Sequence, residues 1–365
     1  MRKVHRGGKT KGVWVRAQSL LIDNPNPIYC TSGYPNKYLC HSIQKEQINI
    51  SCRHLAGVVT CDKCRRKSIV FIRYSGAHLC GDHFCNLVER RTKQELRRQI
   101  DFNEKAARIA VAVSGGKDST VALHLLYKIL GRRNDLDLCA LTVDEGIEGY
   151  RESSLPIVAR TCRKLGIEHL VVTFKELFGT TMDTIAGSSR QLATCSYCGV
   201  LRRAAMNRAA KDWEATHLAT GLNLDDTAQS ILMNFSRGDV ERLARLGPHR
   251  KVQNYLIPRI QPLRSVPESE TLLYAVVNEL EFHDLECPYA PEALRNSYRS
   301  VLSQLEDKYP GTRHSILRSY DEILPALVKL YPSAELRRCS CGEPTMSEKC
   351  KACELLESLA TMRPT

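Results

Sequence analysis

The stretch RIAVAVSGGKDSTVALHLLYKIL, Arg108 to Leu130, sets two glycines, a lysine and an aspartate between an apolar run and a helical pattern. Ile109 to Val113 is β-branched, broken only by alanine. It is too short for a helix and apolar throughout, as in a parallel strand covered on both faces. Gly115 and Gly116 lack a Cβ, so backbone N–H groups there can come close to a ligand. A helix beginning near Lys117 would aim its unpaired N–H groups and positive dipole end into the same turn, which suits an anion. Lys117 adds a formal charge, and Ser114 and Ser119 add hydroxyl donors. The occupant that this chemistry suits is a phosphate.

The spacing excludes the Walker loop, which needs glycine where Val111 stands and Ser or Thr where Asp118 stands. The hexapeptide SGGKDS, Ser114 to Ser119, instead resembles the pyrophosphate loop of the PP-loop ATP pyrophosphatases. That resemblance implies an enzyme that splits ATP into AMP and pyrophosphate and passes the AMP transiently to a substrate oxygen.

At 365 residues and 43% hydrophobic content, the chain reads as a globular protein with room for one large domain plus small modules. Its net charge of +13 points to an acidic partner, of which nucleic acid is the commonest. No apolar run reaches the length needed to span a membrane. Sixteen cysteines occur without a signal peptide, many in tight pairs, which reads as metal binding in the reducing cytoplasm rather than as a disulfide framework.

Residues 1–57 form a basic, turn-rich segment without sustained periodicity, expected to be a poorly ordered extension in which Cys30, Cys40 and Cys52 have no assigned role. Residues 58–100 read as a zinc module and linker helix. Cys61-x-x-Cys64 precedes a β-type run, a Ser-Gly turn and Cys80-x-x-His83, so two knuckles can supply three thiolates and one imidazole to a tetrahedral ion. Cys85 competes with His83 for the fourth place, and the spacing favours His83. At the other end, residues 331–365 carry Cys339, Cys341, Cys350 and Cys353, a second zinc module.

Between these, residues 101–330 alternate strands and helices, predicting a Rossmann-like α/β domain with a parallel sheet. Ligands of such sheets sit at the carboxyl ends of the strands. SGGKDS falls there, as do Asp144 at the end of LDLCALTVD and the GLNLDD turn with Gly221, Asp225 and Asp226. Paired aspartates after a strand can hold Mg²⁺ against phosphate oxygens or orient a substrate, and they can equally be a helix cap and a first-turn acid. Cys195 and Cys198 open a basic helix with no second pair nearby, and Cys287 stands in ECPYA. Three cysteines with a free fourth position suit a [4Fe–4S] cluster. The rival is a thiol of low pKa at the helix N-terminus that carries a persulfide.

Taken in order, the zinc module, SGGKDS, VDEGI, CSYCG, GLNLDDTAQS, NFSRGD, ECPYA and the second zinc module resemble the TtuA-type tRNA 2-thiouridine synthetases. This resemblance covers the chain from about Val58 to its end. It implies that Ser114, Gly115, Gly116, Lys117, Asp118 and Ser119 hold ATP, with Asp144, Gly221 and Asp225 beside the nucleotide. It further implies catalytic roles for Lys117, Asp118, Asp226, Cys195 and Cys198, and a cluster on Cys195, Cys198 and Cys287. Two departures are visible. Cys339-Ser-Cys341 is one residue shorter than the family's usual pair, and Arg202 stands where lysine often occurs.

The activity so implied is ATP-dependent adenylation of a tRNA uridine at its C2 oxygen, followed by sulfur transfer. The cofactors would be ATP, Mg²⁺, two Zn²⁺ and a [4Fe–4S] cluster. The partners would be tRNA and a ubiquitin-like sulfur carrier or sulfide, in a homodimer. The alternatives are a PP-loop tRNA cytidine 2-thiolase and a zinc-bearing RNA-binding protein without catalysis. The second leaves the intact Lys117 and Asp118 without a purpose.

Overall fold

The computed structural model describes residues 59–102, 107–188, 192–248, 253–289, 295–332 and 334–361. The extension expected at residues 1–57 lies outside them. A first hairpin, β1 (Val70–Ile72) and β2 (Ala77–Leu79), leads into the helix Gly81–Gln99. The central sheet follows, with β3 (Ala107–Ala112), β4 (Leu136–Asp144), β5 (Glu168–Thr173), β6 (His217–Ala219) and β7 (Arg259–Ile260) in the order β5-β4-β3-β6-β7. Every pairing in it is parallel. A last hairpin, β8 (Arg337–Arg338) and β9 (Pro344–Thr345), precedes the helix Lys351–Thr361. Among the described residues no helix is long and apolar enough to cross a membrane.

The uninterrupted apolar run of β3 is explained by burial on both sides. Ile109 and Val111 pack with Leu123 and Leu126 of the helix Lys117–Leu130 and with Val158 of Arg151–Leu165. Ala110, one residue out of phase, faces Ala209 and Ala210 of the helix Thr194–Asp212. Period-two alternation across two covered faces leaves no position for a polar side chain.

β5 ends at Thr173, where the Thr173 hydroxyl accepts the Glu176 N–H and Glu176 reaches back to the Thr173 N–H. This capping box starts the short helix Phe174–Phe178. The run NYLIPRIQPL contributes only Arg259 and Ile260 to the sheet.

Both cysteine modules are built into the domain. Cys61, Ile72, Phe84 and Val88 share one core with Val121, Leu125 and Tyr274. Cys339, Cys350 and Leu355 share another with Tyr197, Leu201 and Ala205.

Strand order reverses direction between β3 and β6, so the loops leaving these strands diverge and open a crevice at the carboxyl edge. Two glycines set how closely that crevice is built. Gly115 has φ +86°, and a Cβ there would meet Ser154 Cβ at 2.9 Å. A Cβ on Gly221 would lie 2.8 Å from both the N and Cα of Ser119, against backbone that cannot rotate away. Gly221→Ala should therefore push the two loops apart at a cost of roughly 1–3 kcal/mol. Thermal unfolding should show a Tm lower by several degrees, and an unchanged Tm would mean that the contact yields freely.

Candidate active site and metal centres

The loop Ser114–Ser119 is closed by its own serines. The Ser114 N–H donates to Ser119 Oγ at 3.1 Å, and Ser119 Oγ donates to the Gly116 carbonyl at 3.0 Å. The Ser119 hydroxyl thus holds the shape of the loop, whereas the sequence had suggested a phosphate donor. Gly116 is the N-cap of the helix Lys117–Leu130 with no side-chain cap, so the first-turn N–H groups stay available to an anion.

Lys117 Nζ lies 2.7 Å from Glu268 Oε1 and 3.2 Å from Asp118 Oδ2. Burial alone would lower its pKa, but the two carboxylates outweigh it and keep the ammonium charged. Asp118 accepts a hydrogen bond from Asn223 Nδ2 at 3.1 Å. Burial pushes Asp118 up to about 6, with Lys117 opposing and Glu268 and Asp226 reinforcing the shift.

The paired aspartates are both engaged. Asn223, not an aspartate, caps the helix Leu224–Ser236, and Asp226 closes a capping box with it. The other oxygen of Asp226 is 3.3 Å from Arg295 Nη1. Asp225 accepts the Glu268 N–H at 2.8 Å and pairs with Arg313 Nε at 3.0 Å. Burial pushes Asp225 up to about 6 and raises Asp226 as well. The capping-box acid and the candidate catalytic group are therefore the same residue, Asp226. Asp144 ends β4 and accepts the Gly146 N–H at 2.8 Å.

Cys195 stands in the first turn of the helix Thr194–Asp212, and Cys198 opens its second. The Cys195 thiol donates to the Tyr289 carbonyl at 3.4 Å, two residues beyond Cys287. Cys287 packs against the buried cluster that contains Cys198. These donors are all sulfur and come from two separate segments, a set that fits an iron–sulfur cluster. Burial raises the Cys198 thiol although Arg202 Nη2 lies 2.9 Å from its sulfur. That direction runs against the activated low-pKa thiol of the persulfide rival at this cysteine.

Two further groups gather four ligand atoms within 4.8 Å of one another: Cys61, Cys64, Cys80 and His83, and Cys339, Cys341, Cys350 and Cys353. His83 Nδ1 is 3.4 Å from Cys61 Sγ, while Cys85 accepts from Asn278 Nδ2 and stands apart from the group. Despite its shortened spacing, Cys339 is in the second group, 3.8 Å from Cys353 Sγ. The N–H groups of Cys341 and Cys350 pull its thiol down to about 6. Four protein ligands leave no open position, so both groups are suited to structure rather than chemistry.

Sequence reasoning missed Glu145, Arg151, Asn223, Glu268, Arg295 and Arg313. Arg295 and Arg313 come from helices beyond the sheet, where no local motif marks them. Glu268 carried a weak signal as a first-turn acid after Pro267.

A parallel sheet whose reversal point holds a self-closed glycine loop, a charged lysine and buried aspartates defines a PP-loop nucleotide-binding protein. A PP-loop domain profile matches residues 87–306, and the N-terminal LIM domain of the 2-thiouridine synthetase TtuA matches residues 60–85. The tRNA 2-thiolation protein NcsA of Haloferax volcanii is 40% identical over 82% of this chain and 98% of its own. The cytoplasmic tRNA 2-thiolation protein 1 of Aspergillus niger is 37% identical over 83% of this chain and 89% of its own. The U34-tRNA thiolase NcsA of Methanococcus maripaludis, solved with its [4Fe–4S] cluster, superposes with a TM-score of 0.73 at 34% identity. That match covers 84% of this chain and 97% of the other. The chain belongs to this family of tRNA 2-thiolation proteins.

The raised Asp118 pKa makes stability depend on pH. Between the ordinary 3.8 and about 6 the folded protein keeps a proton that the unfolded chain has lost. Its contribution to stability therefore falls as pH rises through that window. Asn resembles the protonated carboxyl, so Asp118→Asn should match wild type near pH 4 and unfold at a higher temperature above pH 6. Calorimetric scans at the two pH values check this, and a stability difference independent of pH would contradict it.

Proposed function

We propose that this chain makes 2-thiouridine in tRNA, at the wobble uridine that the Methanococcus maripaludis thiolase name specifies. ATP activates the C2 oxygen as an adenylate, and sulfur then displaces AMP. The observation that carries this reading is the meeting, at one sheet edge, of the SGGKDS loop and the helix that opens with Cys195 and Cys198. Arg151 spans the distance between them, donating to the Ser114 carbonyl at 2.7 Å and forking onto Glu145 beside Arg202.

Each group has work suited to its setting. The first-turn N–H groups and Lys117 stabilise charge on the departing pyrophosphate. Lys117 can do so by turning from Glu268 toward the phosphates. Asp118 and Asp226 would hold Mg²⁺ carried by the nucleotide, which would offset charge on the phosphates, and Asp226 also orients the uridine. A [4Fe–4S] cluster on Cys195, Cys198 and Cys287 supplies an iron free of protein ligands at which sulfur is presented. Both closed four-ligand groups hold Zn²⁺, and the net charge of +13 draws the tRNA. Sulfide or a ubiquitin-like carrier delivers the sulfur, and the working unit is a homodimer.

Lys117→Ala should lose tRNA-dependent pyrophosphate release by at least 100-fold, on the order of one lost transition-state donor, with a lower Tm because Glu268 and Asp118 lose their ammonium partner. Cys287→Ala should lose iron and thiolation yet keep pyrophosphate release. Nucleoside mass spectrometry mapped to position reads the product. Thiolation of a T-loop uridine, or of a cytidine, would replace the wobble assignment.

The zinc sites are checked separately by metal analysis. Cys61→Ser should lose about one Zn²⁺ per chain and much of its solubility, since closed sites contribute directly to folding. Cys85→Ser should keep its full zinc content. Equal zinc in both variants would refute the assignment.

A further inference from the structure

The side chains between the nucleotide loop and the cysteine site form a chain of contacts that the reaction as stated does not use. Glu145 has no exposed surface, and its carboxylate receives a fork from Arg151, with Nε at 2.7 Å and Nη2 at 2.8 Å. The third nitrogen of Arg151 donates to the Ser114 carbonyl at 2.7 Å, at the first residue of SGGKDS. From the other side, Arg202 Nε stands 2.9 Å from Glu145 Oε1, and Arg202 Nη2 stands 2.9 Å from Cys198 Sγ. One buried carboxylate thus joins the nucleotide loop to a cysteine sulfur through two guanidiniums.

Charge fixes the sense of this arrangement. Two guanidiniums against one carboxylate leave a net positive charge, and the surplus lies at the Arg202 end, beside Cys198. A thiolate there, which is the ligating form of cysteine, completes the balance. An N–H donor on a cluster thiolate stabilises the more reduced, more negative cluster and so raises its potential. Arg202 makes its two contacts with different nitrogens of one plane, Nε to the carboxylate and Nη2 to the sulfur. Lysine at position 202 would supply the charge from a single nitrogen, without that fixed geometry.

We propose that Glu145, Arg151 and Arg202 are positioning residues that couple nucleotide binding at the SGGKDS loop to the electronic state of the cluster through Cys198. The inference rests on Cys198 being a cluster ligand. Nucleotide on the loop shifts the Ser114 carbonyl and Arg151, and Glu145 hands the shift to Arg202. By linkage, any change that nucleotide makes in the cluster's midpoint potential is matched by an equal change in nucleotide affinity when the cluster is reduced.

The test uses full-length protein reconstituted anaerobically, with wild type, Arg202→Gln and Arg202→Lys compared. Glu145→Gln is unsuitable as the main variant, because it would leave Arg151 without its countercharge in the interior. Arg202 has 44% of its side chain exposed and can be changed with less risk to the fold. The readouts are iron per chain, midpoint potential with and without a non-hydrolysable ATP analogue, and analogue affinity for oxidised and reduced protein.

Wild type should show an analogue-linked shift in potential and the matching affinity difference. Arg202→Gln should have a more negative midpoint and neither linked effect. Arg202→Lys should keep a midpoint nearer wild type and still lose the linkage. An iron-loaded Arg202→Gln with wild-type midpoint and linkage overturns the bridge alone, as does wild type without linkage. A wild-type protein that takes up no iron overturns the cluster reading, and the bridge with it.

Discussion

The tight approach of Gly221 to the backbone of Ser119 governs how the site is assembled. It lies where the sheet changes its direction of strand addition, between β3 and β6. There the loop after β6 rests directly on the helix that begins at Lys117. No side chain fits between them, so Asn223 is brought within hydrogen-bond reach of Asp118. The capping box that Asn223 makes with Asp226 then fixes the next helix. Asp225, on the same turn, receives the first N–H of the helix Glu268–Val277 and so sets Glu268 against Lys117. One contact without a Cβ propagates through backbone donors into the placement of four carboxylates.

Much of this could be read from the chain itself, and the reason is local geometry. A glycine turn between an apolar run and a helical pattern has few conformations, so SGGKDS announced both the sheet and the anion site. Metal knuckles are local too, and cysteine spacing marked Cys61, Cys64, Cys80 and His83 without knowledge of the fold. Cys85 illustrates the limit of spacing. Only its contact with Asn278, almost two hundred residues away, removes it from the ligand group. Arg295 and Arg313 were silent for the same reason, since arginine on an amphipathic helix reads as a solvated face until the helix is docked. Ser119 misled in the other direction. A hydroxyl in a phosphate loop suggests a donor to ligand, yet its one proton is used on the Gly116 carbonyl.

The two cysteine modules also have a meaning beyond metal binding. A free-standing knuckle would close on its own ion. Here Cys61 and Cys80 belong to the core that supports the helix of the nucleotide loop, while Cys339 and Cys350 belong to the core beneath Tyr197 and Leu201. Each module therefore backs one half of the site, the first beneath the phosphate helix and the second beneath the helix of Cys195 and Cys198. Metal ligation in each would then stiffen a functional helix as well as the module itself.

Asp118, Asp225, Asp226 and Glu268 are drawn together in a buried region, and burial raises the first three. Glu268 escapes that rise because Lys117 outweighs the effect of burial. Lys117, Arg295 and Arg313 already answer these acids. A polyphosphate entering such a site adds negative charge to a cluster in which Lys117, Arg295 and Arg313 are already paired. Turning Lys117 toward phosphate takes from Glu268 its ion-pair partner and leaves it only the fields of Arg299 and Arg313, so the lysine alone does not settle the balance. A divalent ion arriving with the nucleotide can, because it neutralises phosphate oxygens and lets Asp118 and Asp226 face them as ligands rather than as repelling charges. On the function proposed above, the acids around this loop would thus favour nucleotide that carries Mg²⁺ over nucleotide without it.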